Sequence, residues 1–245
     1  MSNLELGNVD TGLRILANHR PLFRGEHNAG SLADLGMGKN ELYNKSVCEI
    51  GLGAGISLYE IDAHNRNNPT QAIRYVGVDI LLQIPDDRLS ERNLFIKSEL
   101  ERAVQAFPSL FQSSNVLYGI DQPTDSFDYV ISHYGMPEYA NDQTEVVNII
   151  FEMIRVAKEQ VIFTGGWLDE DFEGLKAGAY RFGGTAGDFE SFPFKLKKCI
   201  EELEQVGVTH THRALTSVRL DTKNKDMKKL EQLRADILGK IGEFS

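Results

Sequence analysis

The chain has few of the features that mark secreted or membrane-spanning proteins. It holds two cysteines in 245 residues, too few for the disulfide framework of a small secreted domain. No apolar run is long enough to cross a membrane, and the first ten residues lack the apolar core of a signal peptide. We therefore expect a cytoplasmic protein in which Cys48 and Cys199 are buried thiols.

Positive charge is scarce as well. Lys and Arg number 26 against 36 Asp and Glu, which gives a formal net charge of −10. Binding along the phosphate backbone of a nucleic acid needs a basic surface, so DNA and RNA are disfavoured as partners. The content of 41% hydrophobic and 25% charged residues is typical of a globular protein and allows a substantial core.

What the chain does contain is an alternation of strand and helix patterns. This order predicts an α/β fold: a three-layer Rossmann-like sandwich with a mostly parallel central sheet and helices on both faces. The predicted strands are 46–50, 73–79, 115–120, 125–132 and 161–164, followed by a strand-like stretch, 208–221, that divides into two strands near 214–216. The predicted helices are 56–65, 89–107, 144–158, 194–206 and 225–241.

Two segments interrupt the alternation. Residues 1–45 form a helical entry segment whose polar loop, 23–30, is either a surface loop or a lid over a cleft. The remainder, 46–245, is one domain with an aromatic and glycine-rich insertion at 167–191, and such a long stretch without periodicity is often functional. Its aromatic side chains either line an acceptor pocket or pack as a cap: Trp167, Tyr180, Phe182 and Phe189.

The first strand leads into a glycine turn. Gly51, Gly53 and Gly55 stand between this strand and a helix, an arrangement in which backbone N–H groups and a helix N-terminus favour a polar or anionic ligand. Ile56 occupies the position next to the third glycine, so the dinucleotide pattern G-x-G-x-x-G is not fulfilled. Asp79 ends the next strand, where an acid can accept both ribose hydroxyls of a nucleoside.

Three motifs in this order resemble the class I S-adenosylmethionine-dependent methyltransferases: E-I-G-L-G-A-G at 49–55, Y-V-G-V-D at 75–79 and D-S-F-D-Y-V-I-S at 125–132. The resemblance covers roughly residues 46–165 and implies that S-adenosylmethionine binds across the carboxyl ends of the first four strands. By the same resemblance, individual residues would contact the methionine end (Glu49, Gly51, Gly53, Gly55), the ribose (Asp79) and the adenine (Ile80, Ile120, Asp121).

The resemblance also implies that residues 132–138, at the end of the fourth strand, face the transferred methyl group. They lack the Asn/Asp-Pro-Pro-aromatic motif of methyltransferases that act on amino groups of nucleic acids. Alignment supplies most of the acceleration of methyl transfer, and a base helps only when the acceptor carries a proton. His133 and Tyr134 are the candidate catalytic residues, followed by Glu138; a strand-end histidine bonded to the backbone would account equally well for His133.

We therefore predict S-adenosylmethionine-dependent methyl transfer to a small molecule or a protein side chain. One alternative is a non-catalytic nucleoside-binding module of the same fold. Another is an NAD(P)-dependent oxidoreductase, against which the absent sixth-position glycine and Tyr-x-x-x-Lys pair argue. No metal site is predicted, because His210 and His212 alone are too few ligands. The sequence does not indicate an oligomeric state.

Overall fold

A computed structural model of the chain describes residue 32 and residues 35–133, 143–164, 202–214 and 217–242. Seven strands in these ranges form one sheet with the order β3-β2-β1-β4-β5-β7-β6. The strands are β1 Ser46–Ile50, β2 Arg74–Asp79, β3 Phe111–Ser113, β4 Phe127–Ser132, β5 Ala157–Thr164, β6 Thr209–Ala214 and β7 Ser217–Asp221. The longer helices are α1 Ile56–Asn67, α2 Glu91–Ala106, α3 Gln143–Val156 and α4 Met227–Gly242.

The first five strands run parallel, and the last two break that rule. β7 lies antiparallel to β5, and β6 lies antiparallel to β7. The predicted division of 208–221 into two strands is confirmed, since β6 ends at Ala214 and β7 begins at Ser217. The first connections cross over between parallel strands through helices, as an open α/β sheet requires.

Alternate residues of each strand divide the core between the two faces of the sheet. On one face Val47 and Tyr75 pack with Leu58 of α1 and Leu100 of α2. On the other, buried side chains of the central strands pack with those of α3 and α4, among them Cys48, Val130, Ile150, Met153 and Leu230. The three-layer sandwich predicted from the strand and helix pattern is thereby confirmed.

One strand of the prediction is wrong. Residues 115–120 are not β3; within them Val116–Tyr118 form a 3-10 turn, and the strand that pairs with β2 is Phe111–Ser113. The Asn115 side chain accepts a hydrogen bond from the Leu117 N–H at 3.0 Å, and Gly119 follows with φ +108°. A side chain that caps its own backbone favours a turn over a strand.

Several predictions concern residues outside the described ranges and stay predictions. The residues are Tyr134, Glu138, Cys199, the 23–30 loop and the 167–191 insertion. None of the helices in the described part of the chain is long and apolar enough to cross a membrane.

Candidate functional site

The carboxyl ends of three adjacent strands are joined by hydrogen bonds at one edge of the sheet. The Gly51 N–H, directly after β1, donates to the Val78 carbonyl of β2 at 2.9 Å. On the other side, the Ser132 hydroxyl at the end of β4 donates to the Ile50 carbonyl at 3.0 Å. Ligands of open α/β sheets bind at this edge, so the predicted site residues emerge where a ligand would lie.

The glycine turn is closely packed. Gly51, Gly53 and Gly55 have φ angles of +81°, +55° and +72°, a region that favours glycine. A Cβ on Gly55 would in addition stand 2.8 Å from the Cβ of Ala103 on α2. The third glycine of the turn therefore serves the contact between two helices as well as the turn itself.

Gly77 of β2 makes room for this turn. A Cβ at Gly77 would lie 2.5 Å and 2.7 Å from the two methyl carbons of Leu52, a turn residue that is itself buried. The Leu52 side chain thus fills the space above the glycine of Y-V-G-V-D. The first two sequence motifs therefore pack directly against each other. This contact explains why residue 77 is a glycine and not another small residue.

The Asp79 carboxylate connects the end of β2 to the turn. One oxygen accepts the Gly53 N–H at 3.2 Å, and the other accepts the Leu81 N–H at 2.8 Å. Burial raises the pKa of Asp79 above its ordinary value, while the N–H groups of Leu81 and Gly53 act in the opposite direction by stabilising the ionised form. Asp79 and the glycine turn, 26 residues apart in sequence, are therefore brought together as predicted.

Glu49 is a buried residue of β1, two positions before the glycine turn. Its carboxylate accepts the Ser57 hydroxyl at 3.1 Å and the Tyr75 hydroxyl at 2.5 Å. Desolvation raises the pKa of Glu49 to about 7, although the hydrogen bonds from Tyr75 and Ser57 lower it. Both oxygens accept hydrogen bonds from the protein, so Glu49 connects β1 to β2 and to the first turn of α1. Its contact with the methionine end of the cofactor stays a prediction. The sequence did not single out Ser57 or Tyr75 as its partners.

The predicted adenine side of the site is a loop after β3. The Ser114 N–H donates to the Asp79 carbonyl at 3.2 Å, and the Ser114 hydroxyl donates to the Gly119 carbonyl at 2.9 Å. Ile120 is buried, Ile80 is partly buried and Asp121 is exposed. Because β3 ends at Ser113, Asp121 belongs to this loop and not to a strand end, which corrects the placement expected from sequence.

A pair of charged residues on α3 holds this loop, and the sequence analysis missed it. Glu152 is buried with 6% of its surface exposed, and its Oε1 accepts the Ile120 N–H at 2.6 Å. Arg155 donates to the Ile120 and Gln122 carbonyls, each at 2.9 Å. A glutamate within the apolar stretch I-I-F-E-M-I was the available signal, because a buried acid needs a partner.

His133 directly follows Ser132 at the end of β4 and is partly buried, so its backbone lies at the edge that carries the glycine turn. Its neighbour Tyr134 lies outside the described ranges. His210 is on β6, within 3.1 Å of the Glu204 carboxylate. In the described part of the chain, no cluster of three or more His, Cys, Asp and Glu side chains is arranged to hold a metal ion.

No protein-family model matches the sequence, and no curated protein matches it. Solved structures do resemble the fold. A Pyrococcus horikoshii protein has 16% identity and a TM-score of 0.43, with 74% of this chain and 82% of that chain covered. A SAM-dependent methyltransferase from Thermotoga maritima has 14% identity and a TM-score of 0.44, with 89% of this chain and 96% of that chain covered. Magnesium protoporphyrin IX methyltransferase from Synechocystis PCC 6803, with bound SAH, has 17% identity and a TM-score of 0.41, with 88% of this chain and 93% of that chain covered. Similarity at this level says nothing about substrate.

Proposed function

We propose that this chain binds S-adenosylmethionine at the carboxyl ends of β1, β2 and β4 and transfers its methyl group to a small molecule or a protein side chain. The observation that carries the proposal is the Asp79 carboxylate, fixed by the N–H groups of Gly53 and Leu81. A carboxylate has about four acceptor positions. In the proposed complex, Asp79 accepts the two hydroxyls of a ribose beside these backbone N–H groups.

The other predicted contacts follow from the placement of this acid. The glycine turn precedes α1, whose N-terminal N–H groups favour the carboxylate of the methionine moiety. Ile80 follows Asp79 directly and offers an apolar surface beside the ribose. Asp121 is exposed on the loop that Ser114 connects to Asp79 by hydrogen bonds. In the proposed complex its carboxylate accepts a hydrogen bond from the adenine amino group. The donors and acceptors of this edge thus match the two ends of the cofactor.

When bound, S-adenosylmethionine supplies a methyl group on a positively charged sulfur. The protein contributes alignment, which can lower a barrier by several kcal/mol, about 7–11 in favourable cases. His133 is held next to Ser132, whose hydroxyl is bonded to the Ile50 carbonyl. In the proposed reaction His133 accepts the proton of an acceptor that is still protonated, and Tyr134 is the alternative candidate for this base.

The acceptor class rests on charge and motif. The net charge of −10 and the absence of an Asn/Asp-Pro-Pro-aromatic sequence support a small molecule or a protein over a nucleic acid.

Cys48 is a free, buried cysteine, and burial raises the pKa of its thiol. An inert thiol of this kind is compatible with the reducing cytoplasm in which we place the reaction.

Titration calorimetry of the full chain with S-adenosylmethionine, S-adenosylhomocysteine and NAD tests the cofactor. We expect the first two to bind in the micromolar range and NAD to give no heat. Binding of NAD alone would identify an oxidoreductase and overturn the proposal. If S-adenosylhomocysteine binds but no methyl transfer is ever found, the chain is the non-catalytic nucleoside-binding module.

The acceptor class is tested with S-adenosylmethionine that carries an isotope-labelled methyl group. The full chain is incubated with a cell extract separated by size into small molecules and proteins, and each fraction is analysed by mass spectrometry. We expect the label in one of these two fractions and not in added RNA or DNA. An Asp79→Ala chain serves as the control: at an S-adenosylmethionine concentration near the wild-type Kd it should label the same fraction more weakly, in proportion to its lower cofactor affinity.

A further inference from the structure

The loop that the proposed function assigns to adenine is fixed from outside the site. Gln122 and Ile120 present two carbonyls and one N–H to α3, and charged side chains of that helix satisfy all three. A loop on the surface of a sheet is usually held by its own turns and by water. Here a charged pair on a helix holds the backbone as well, in addition to the loop's own hydrogen bond from the Gln122 N–H to the Ile120 carbonyl at 2.6 Å.

The pair is itself closely coupled. The Arg155 Nε donates to Glu152 Oε2 at 2.8 Å, and Nη2 donates to Oε1 at 2.6 Å. The same Nη2 reaches the Ile120 carbonyl, while Oε1 accepts the Ile120 N–H. The Ile120 peptide groups and the ion pair thus form a closed set of hydrogen bonds. Charge-assisted bonds with two parallel donors define geometry more tightly than single neutral bonds do.

We infer that Glu152 and Arg155 are positioning residues for adenine recognition, a role that rests on the proposed cofactor. They do so by fixing the backbone on both sides of Asp121, so that its carboxylate meets the adenine amino group. Neither side chain needs to contact the cofactor.

The distinguishing property of such a role is selectivity for the base. Replacing adenine by hypoxanthine exchanges an amino donor for a carbonyl, which an oriented carboxylate rejects. Loss of a residue that merely stabilises the fold would weaken the binding of both ligands equally. Loss of a residue that orients Asp121 would change the ratio of the two affinities.

The experiment compares the affinities of S-adenosylhomocysteine and its hypoxanthine analogue by calorimetry. For wild type we expect a preference for adenine on the order of 100-fold. In R155Q the affinity for S-adenosylhomocysteine should fall roughly tenfold, the effect of losing charged hydrogen bonds. The affinity for the analogue should change little, so the preference falls by about the same factor. R155K, which has a single ammonium group in place of the planar guanidinium, should keep part of the preference for adenine.

The matched control is R102Q. Arg102 also pairs with a glutamate three residues earlier on its helix, Glu99 at 2.6 Å, but on the exposed surface of α2. Its loss should leave both affinities and their ratio at the wild-type values. If R155Q does not fold, R155K and E152Q carry the test. Folded variants that keep the wild-type ratio would overturn the inference alone. A wild-type chain that binds no S-adenosylhomocysteine would overturn the proposed cofactor and this role together.

Discussion

The Tyr75 hydroxyl donates a 2.5 Å hydrogen bond to the buried Glu49 carboxylate. Tyr75 of β2 pairs with Val47 and Gly77 pairs with Glu49 in the parallel register, so the phenol reaches Glu49 diagonally across the sheet. The bond joins the residue that opens the glycine motif to the residue that opens the next motif. It also holds a buried, titratable acid between β1 and β2, with consequences for stability.

Glu49 should make the protein less stable as the pH rises towards neutrality. Its pKa is raised from 4.5 to about 7 in the folded state, so the folded chain binds more protons than the unfolded chain between these values. The free energy of unfolding therefore increases as the pH falls from about 7 to about 4.5, by roughly 3 kcal/mol from this group. Urea unfolding at a series of pH values measures the slope.

Two substitutions isolate this contribution. Glu49→Gln should flatten the slope within that window, and Tyr75→Phe should move the window upwards because a bond to the ionised form is lost. Glu101→Gln, on the exposed surface of α2, is the control and should behave as wild type. An unchanged slope in a folded Glu49→Gln chain would remove Glu49 from this role.

Asp79 should determine the affinity for the cofactor. Asp79→Asn preserves the shape of the side chain but replaces an acceptor by a donor at the proposed ribose contact. Binding of S-adenosylhomocysteine should weaken by about 1–3 kcal/mol, as for the loss of a buried acceptor. Calorimetry gives the change, with Asp87→Asn in the neighbouring 3-10 turn as an exposed acid for comparison. Equal affinities of the two variants would place the ribose elsewhere.

Gly55 should tolerate no side chain. In Gly55→Ala the new methyl group would meet Ala103 at 2.8 Å and Leu100 at 3.0 Å, on a backbone with φ +72°. Overpacking and the left-handed conformation together should cost about 2–4 kcal/mol. Gly239→Ala is the matched control, because nothing lies within 4 Å of a Cβ at that helical position. It should stabilise the chain by about 0.5–1 kcal/mol. Chemical denaturation of both variants decides the comparison.

His133 should act on turnover and not on cofactor affinity. Once an acceptor is known, His133→Asn should reduce kcat by roughly 100-fold if the acceptor must lose a proton, while the affinity for S-adenosylhomocysteine stays at the wild-type value. A loss of affinity with kcat preserved would instead show that the imidazole supports the strand end.

The parts of the fold that were predictable are those in which local pattern and tertiary position agree. β1 was predicted at its observed bounds, because a short apolar run that ends at a glycine turn is typical of a buried strand in an α/β chain. The division of 208–221 into two strands followed from the pattern near Ala214. β3 was misplaced because Val116–Tyr118 has the composition of a strand, whereas the Asn115 side chain turns its backbone.

The site was predictable as far as its motifs reach. The contact of Asp79 with the glycine turn follows from two adjacent parallel strands that end at one edge. The partners of Glu49 and Ile120 were not predictable, because they depend on the register between β1 and β2 and on the rotation of α3. Neither leaves a periodic trace in a chain whose central strands are buried on both faces.

The insertion of β7 between β5 and β6 has a consequence for synthesis. As the polypeptide leaves the ribosome, β6 emerges before β7, the strand with which it pairs, and the edge of β5 remains open until residues 217–221 follow. An exposed parallel-sheet edge is a template for pairing with other chains. The nascent protein therefore completes this half of its sheet only once residues 217–221 have emerged, and a chain truncated before Ser217 leaves the β5 edge open to pairing with other chains.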